Sequence, residues 1–300
     1  STYHLGYMLG PRINAGGRVG KCSHGANLLL DKDPKNSFKL ALELDQFNKE
    51  RQILEKDLLQ KILNKTKNYL KDPVLILSGS NWHEGVIGIV AARLKDKFNK
   101  PTILISFDGN IGKASARSIV GFDIGSVIIA ASHENILLKG GGHKMAGGFS
   151  IKLENVEKFK KFISKKFESI NENLKIEKPL LVDSIISPSA VNIEFYKKVA
   201  LLSPFGSGNP EPKFVIEDLK TINGKIVGES HIKSVLIGKD GSTIKSIAFN
   251  SVEKDISPFL IKKNNKSFNI AGKLSLNEWK GQSNVEFIID DIFVNKNDNN

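Results

Sequence analysis

Between residues 34 and 71 the apolar positions recur at helical spacing. Leu40, Leu44, Phe47, Arg51, Leu54 and Leu58 fall at alternating four- and three-residue steps, one stripe of a helix with a single charged member. Asp33-Pro34 supplies an N-cap and first-turn pair, and Lys71-Asp72-Pro73 a stop. One long connecting helix over 34–72 is therefore predicted, preceded by a Gly-rich segment, 1–33, that ends in Leu28-Leu29-Leu30. Beyond it the period alternates. Residues 74–78 read as a buried strand, 85–98 as a helix, and 102–106 and 111–119 as strands. Asp123 is placed to cap a helix running to about 132, and a strand is expected from Phe149 to Leu153. A final helix turns Val156, Phe159, Phe162, Ile163 and Phe167 inward and Lys158, Lys160, Lys161, Lys165 and Lys166 outward. Strands alternating with helices define an α/β domain over 73–170.

The pattern changes after a linker at 171–179. Short β-rich runs follow at 180–186, 213–222, 232–238, 243–249, 267–276 and 284–294, with one helix near 190–202. Gly238-Lys239-Asp240-Gly241 and Trp279-Lys280-Gly281 read as turns. Five or six short strands suggest a small barrel of the OB type over 180–296. Residues 297–300 are expected to be disordered.

Composition narrows the class. The chain has 300 residues, room for two or three domains, with 40% hydrophobic residues and 25% charged. No apolar run is long enough to span a membrane, and no signal peptide opens the sequence. Cys22 is the only cysteine, which excludes an internal disulfide or a Cys/His zinc cluster and suits a reducing cytoplasm. The net charge of +12 favours a polyanionic partner, although solvated lysine faces alone could produce it. Lysine is the default cation. Only five of the 44 basic residues are arginine, at 12, 18, 51, 93 and 117, so each planar fork invites inspection. The chain opens at Ser1 in sequence of mid-domain character and reads as a piece of a longer protein.

Four segments carry candidate chemistry. Gly10-Pro-Arg-Ile-Asn-Ala-Gly-Gly-Arg18 reads as a Gly-rich loop whose two arginines could fork phosphate, or pair with acidic neighbours in a structural turn. Trp82-His-Glu-Gly-Val-Ile-Gly88 opens a helix whose N-terminus could bind an anion beside a neutral His83; Trp82 and His83 could instead cover the sheet edge. Gly85, Gly88, Ala91 and Ala92 keep that helix thin. Gly112-Lys-Ala-Ser-Ala-Arg-Ser118, as a strand, puts Lys113, Ser115 and Arg117 on one face: a phosphate cradle, or a solvated strand face. Gly140-Gly-Gly-His-Lys-Met-Ala-Gly-Gly148 is costly to order, which implies close approach to backbone or ligand; His143 there could bond a phosphate, pack, or cap a helix. It lacks the Lys-Ser/Thr ending of a nucleotide-binding loop. Arg51 is placed to pair with Glu55 one turn on, and Arg93 reads as structural. No acidic and histidine constellation for a two-metal centre is present, and Asp290-Asp291 reads as structural.

Taken together, Leu9–Arg18, Trp82–Gly88, Ser115-Ala-Arg-Ser118 and Gly141-Gly-His-Lys-Met-Ala-Gly147, with Asn48, Arg51 and Pro204-Phe-Gly-Ser-Gly-Asn-Pro-Glu-Pro212, make the chain resemble the RecJ family of single-strand-specific 5′→3′ DNA exonucleases in the DHH/DHHA1 phosphoesterase superfamily. The resemblance implies an α/β fold: the end of a DHH domain over 1–33, the long helix, a DHHA1-type domain and an OB-like β-barrel. It implies that Ser115 and Arg117 grasp a 5′ phosphate with Arg12 or Arg18 beside them. Asn14, His83, Gly141, Gly142 and His143 are then further substrate-binding candidates, with His143 near the scissile region and the one catalytic candidate. Trp279 and Phe249 are candidate stacking residues of the barrel. It further implies manganese or magnesium, with ligands upstream of residue 1. It also implies single-stranded DNA with a 5′ phosphate as substrate, a role in repair and recombination, a cytoplasmic monomer, and a single-strand-binding protein and a helicase as partners. Gly16-Gly17 departs from the family, where Ala is more usual.

Overall fold

The computed structural model describes residues 2–66, 71–171, 180–206, 208–279 and 281–294. The expected linker from residue 172 on, the C-terminal tail and Lys280 of the expected turn lie outside these residues, as does the side chain of Trp279. The chain forms two compact units, one on either side of residues 172–179.

The first unit opens helically, not as a loop. A π-helical stretch, His4–Leu9, runs into α1, Gly10–Val19. This corrects the reading of Gly10–Arg18 as a Gly-rich loop. Pro11 sits in the first turn, where its missing N–H costs nothing. Glycine here serves packing: a Cβ on Gly16 would lie 2.7 Å from the Lys21 carbonyl oxygen and 3.3 Å from Leu44. Ala15 and Gly16 thus form a small face on which α2, Ser23–Leu30, and α3, Pro34–Thr66, close down. Asp33 caps α3 by accepting from the Lys35 N–H. The buried side of α3 runs through Leu44, Asn48, Glu55, Leu58 and Ile62. Its polar members share one network of hydrogen bonds and ion pairs. Arg51 donates to Asn48 Oδ1 and, at 2.8 Å, to Glu55 Oε2. Arg93 Nε lies 2.5 Å from the other Glu55 oxygen and ties α3 to α4, Glu84–Phe98. A carboxylate only 2% exposed would be costly alone; two guanidinium groups compensate it.

The α/β sheet consists of β1 (Leu75–Ser80), β2 (Thr102–Asp108), β3 (Ile111–Arg117), β4 (Lys139–His143) and β5 (Ala146–Lys152), in the order β1-β2-β3-β5-β4. β1 and β2 are parallel, linked through α4; the other pairs are antiparallel. Leu75, Leu77 and Leu104 face α4 and the C-terminal half of α3. Ile103, Ile105, Ala116, Phe149 and Ile151 face α5 (Ile124–His133) and α6 (Val156–Asn171), which inserts Phe159 and Ile163. Each such large side chain contributes about 1.5–3 kcal/mol by burial. The run Gly140–Gly148 forms a β-hairpin, and β5 begins before Phe149. Its glycines hide strand character, because they supply no apolar alternation.

The second unit is a closed barrel. Its elements are β6 (Ser184–Ile185), α7 (Ile193–Ala200), β7 (Phe214–Val227), β8 (His231–Ile237), β9 (Thr243–Ala248), α8 (Ser257–Leu260), β10 (Asn264–Trp279) and β11 (Gln282–Phe293). The order is β10-β11-β9-β8-β7-β6, and a β10–β7 pairing closes a five-stranded barrel. Phe268, Ile270, Leu274, Phe287 and Leu260 fill it. β7 and β10 are longer than the apolar runs suggested. β7 pairs with β10 through its first half and β8 through its second, so it must continue past one neighbour to reach the other. Asp290 Oδ2 lies 2.7 Å from Lys213 Nζ, an ion pair internal to the barrel.

Candidate nucleic-acid end site

Antiparallel register brings residues from three strands into rows. Arg117 pairs with Ala146, and Ala146 with His143. Ser115 pairs with Gly148, and Gly148 with Gly141; Lys113 pairs with Ser150, and Ser150 with Lys139. Paired residues project to the same face, so Arg117, Ser115 and Lys113 each head a row on the α4 side of the sheet. That face is nearly bare beyond α4. A cleft of about 570 Å³ runs along it, lined by Glu84, Lys113, Ser115, Lys139, Gly141 and Ser150 among others.

Thinness of α4 seats the Arg117 side chain. A Cβ on Gly88 would lie 2.9 Å from both Arg117 Nη2 and Ser115 Oγ. Arg117 Nη1 donates to Ser115 Oγ at 3.1 Å and to the Ala116 carbonyl at 2.7 Å, which fixes the fork. One turn earlier, a Cβ on Gly85 would lie 2.1 Å from the Arg18 carbonyl oxygen, so the end of α1 rests on the start of α4. Arg18 returns the contact by donating from Nη1 to the Gly85 carbonyl at 3.1 Å. The two guanidinium groups are close enough to interact: burial first, and then the charge of Arg18, push the Arg117 pKa below its ordinary value.

The five arginines divide cleanly. Arg12 is ion-paired to Asp45 at 2.8 Å and donates to the Met8 carbonyl; Arg51 and Arg93 share Glu55. Arg18 and Arg117 have no carboxylate partner among the described residues, and they repel one another. Arg12 is therefore already engaged by a carboxylate. In a helix, six positions turn it about 240° from Arg18, so the two forks leave α1 on different sides. The Asn14 side chain is exposed on α1 without a hydrogen bond to another described residue.

His83 caps α4: its Nδ1 accepts from the Gly85 N–H at 3.1 Å, so that N–H is already satisfied. Glu84 occupies the same first turn and pairs with Lys113 at 2.8 and 2.9 Å from its two oxygens. His143 ends β4, exposed, with Nδ1 accepting from the Met145 N–H at 3.3 Å. Its main chain abuts α5, where a Cβ on Gly125 would lie 2.9 Å from it. Gly142 is required by the hairpin itself, since its Cβ would lie 2.4 Å from the Ala146 carbonyl oxygen, whereas Gly141 faces open space. Sequence reasoning missed Glu84 and Lys139 as members of this face. Their only signals were adjacency to His83 and to the Gly run; register alone reveals the rest.

The barrel carries its own basic face. Lys225 lies opposite Lys233 across β7–β8, and Lys245 follows on β9 around a depression of about 310 Å³. Like charges directly opposite destabilise a sheet; Glu286, 3.3 Å from Lys233, offsets only part. Phe249 is 46% exposed, edge-on to His231. Among the described residues no group of three or more His, Cys, Asp or Glu could hold a metal ion, so these residues do not fit a divalent metal centre. No described helix is long and apolar enough to cross a membrane.

A mixed sheet of this order followed by a closed five-stranded barrel is a DHHA1 domain with an OB domain: residues 71–169 match the DHHA1 domain family and residues 182–291 the RecJ OB domain family. Along nearly its whole length the chain is similar to RecJ exonucleases. It is 32% identical to the single-stranded-DNA-specific exonuclease RecJ of Haemophilus influenzae over 95% of its own length and 51% of that protein. It is 29% identical to RecJ of Bacillus subtilis over 97% of the chain and 37% of that protein. The crystal structure of RecJ in complex with Mn2+ from Thermus thermophilus matches 99% of the chain with a TM-score of 0.82 and 26% identity, covering 42% of that structure. The chain thus spans about half, or less, of the length of these relatives.

Proposed function

We propose that this chain is the end-binding and strand-binding part of a RecJ-type, single-strand-specific 5′→3′ DNA exonuclease acting in repair and recombination. Ser115 and Arg117 hold the 5′ phosphate, with Arg18 beside them; His143, Gly141 and Gly142 lie toward the scissile region. His83 orders the start of α4 against which Arg117 packs. The Arg12–Asp45 pair favours Arg18 over Arg12 as the supporting fork. Hydrolysis falls to manganese or magnesium ligands outside these residues, so the chain alone binds and does not cut. We divide it as the end of a DHH domain over 1–33, a connecting helix over 34–72, the DHHA1 domain over 73–170 and the OB domain over 180–296. Single-stranded DNA is the partner, with a single-strand-binding protein and a helicase as protein partners of a cytoplasmic monomer.

One observation carries this reading: two guanidinium groups without carboxylate partners among the described residues converge beside a hydroxyl where α4 meets the sheet. Holding two like charges side by side, one of them half-buried, is unfavourable unless an anion joins them. Arg117→Ala is expected to weaken binding of 5′-phosphorylated single strands by about 1.5–3 kcal/mol, and of 5′-hydroxyl strands much less. Fluorescence anisotropy with the two oligonucleotides measures this. Equal losses for both ends would overturn the assignment.

A further inference from the structure

The cleft does not stop at Ser115. With roughly 30 Å³ per water, it has room for about twenty waters, several times what one phosphate fills. It continues away from Arg117 and His143 into the row of Lys113, Ser150 and Lys139, one two-residue strand step, about 6.6 Å, past Ser115. Beside that row, at the end of the Ser115–Gly148–Gly141 row, the floor is open, since a Cβ on Gly141 would meet nothing within 4 Å. The Lys139 ammonium and the Ser150 hydroxyl have no side-chain partner among the described residues. Glu84 is the only carboxylate among the described residues that line the cleft, and Lys113 neutralises it through both oxygens.

We propose that this row is an additional anion subsite for phosphates attached beyond the 5′-terminal one, so that the cradle accepts 5′-di- and triphosphorylated strands. The inference rests on the reading that Ser115 and Arg117 hold the terminal phosphate. With the α-phosphate at those two residues, a β- and γ-phosphate extend along the cleft toward Lys139, away from the His143 row. Lys139 supplies the charge, Ser150 a hydroxyl donor, and the bare Gly141–Gly148 floor the clearance. Glu84 sets the threshold: while it holds Lys113, the row carries one cation free of carboxylates among the described residues, and when an anion competes for Lys113 it carries two. Ends of this kind are the product of strand synthesis started without a primer, so the reaction supplying the substrate is nucleotidyl transfer onto an initiating nucleoside triphosphate.

The test uses the 300-residue chain and three short single strands of one sequence, ending in 5′-hydroxyl, 5′-monophosphate and 5′-triphosphate. The wild type is expected to bind the triphosphate end about tenfold more tightly than the monophosphate. Lys139→Gln should remove most of that gain and weaken monophosphate binding much less. Glu84→Gln should enlarge the gain by releasing Lys113. Weaker binding of the triphosphate by the wild type, or an equal effect of Lys139→Gln on both ends, would overturn the subsite. If Arg117→Ala fails to lower the preference for monophosphate over hydroxyl, the underlying cradle assignment falls instead. If that preference is lost as expected while Lys139→Gln is not selective, only the subsite falls.

Discussion

At Gly88 the absence of a side chain is itself a functional group. The space that a methyl would take is occupied by the ends of Arg117 and Ser115, both 2.9 Å from the Cβ position. Those ends belong to side chains that can move, and alanine is the better helix former by about 1 kcal/mol. Gly88→Ala is therefore expected to leave the melting temperature unchanged or raise it, while reducing the preference for 5′-phosphorylated strands. A loss of stability matching the loss of binding would refute this division. Gly85 differs in kind. A methyl there meets the Arg18 main-chain carbonyl at 2.1 Å, which only movement of α1 could relieve. Two glycines one turn apart thus do different work: one admits a side chain, the other a helix.

Among the elements, α5 links the site to acid stability. Asp123 caps it, and the Ser126 main-chain N–H it accepts from holds its carboxyl below the ordinary carboxylate range. A depressed carboxyl contributes stability that is present above its unfolded pKa and lost as pH falls through its folded value. Asn is an equally good cap that does not titrate. Asp123→Asn should therefore show a shallower fall in melting temperature on acidification than the wild type; parallel falls in both proteins would count against the cap. The cap itself was legible, as were the long helix and the alternation of Lys113, Ser115 and Arg117, because local periods and capping residues need no tertiary information. Two elements were not. Glycine in Gly10–Arg18 resembles loop chemistry whether it serves a turn or a tight helix contact, and only the nearness of Leu44 and Lys21 decides which. The hairpin of β4 and β5 has too few side chains to display a period. Its rows depend on register, which places Lys139 across from Lys113 although 26 positions separate them in sequence.

For the whole molecule, the excess of 12 positive charges is not uniform decoration. On the barrel, Lys225 and Lys233 face one another across β7–β8, an arrangement that costs stability and that a bound polyanion would relieve. Replacing Lys225 and Lys245 together with glutamine is expected to lower the log–log salt dependence of single-strand binding by about 0.7 for each phosphate contact removed. The 5′-end preference should be unaffected, as affinities measured across a salt series for both strand ends would establish. An unchanged slope would place the strand elsewhere. The α/β sheet meets a different hazard. β4 is a margin of that sheet, with three consecutive glycines and no side chains to shield its outer N–H and C=O groups. Such a margin is an open invitation to another copy's strand. Lys139 at its start and His143 at its end stand as the polar guards of that margin. The openness that gives a ligand access to the main chain thus leaves self-association to be opposed by charge, and an acidic strand bound along the sheet would cap the same margin.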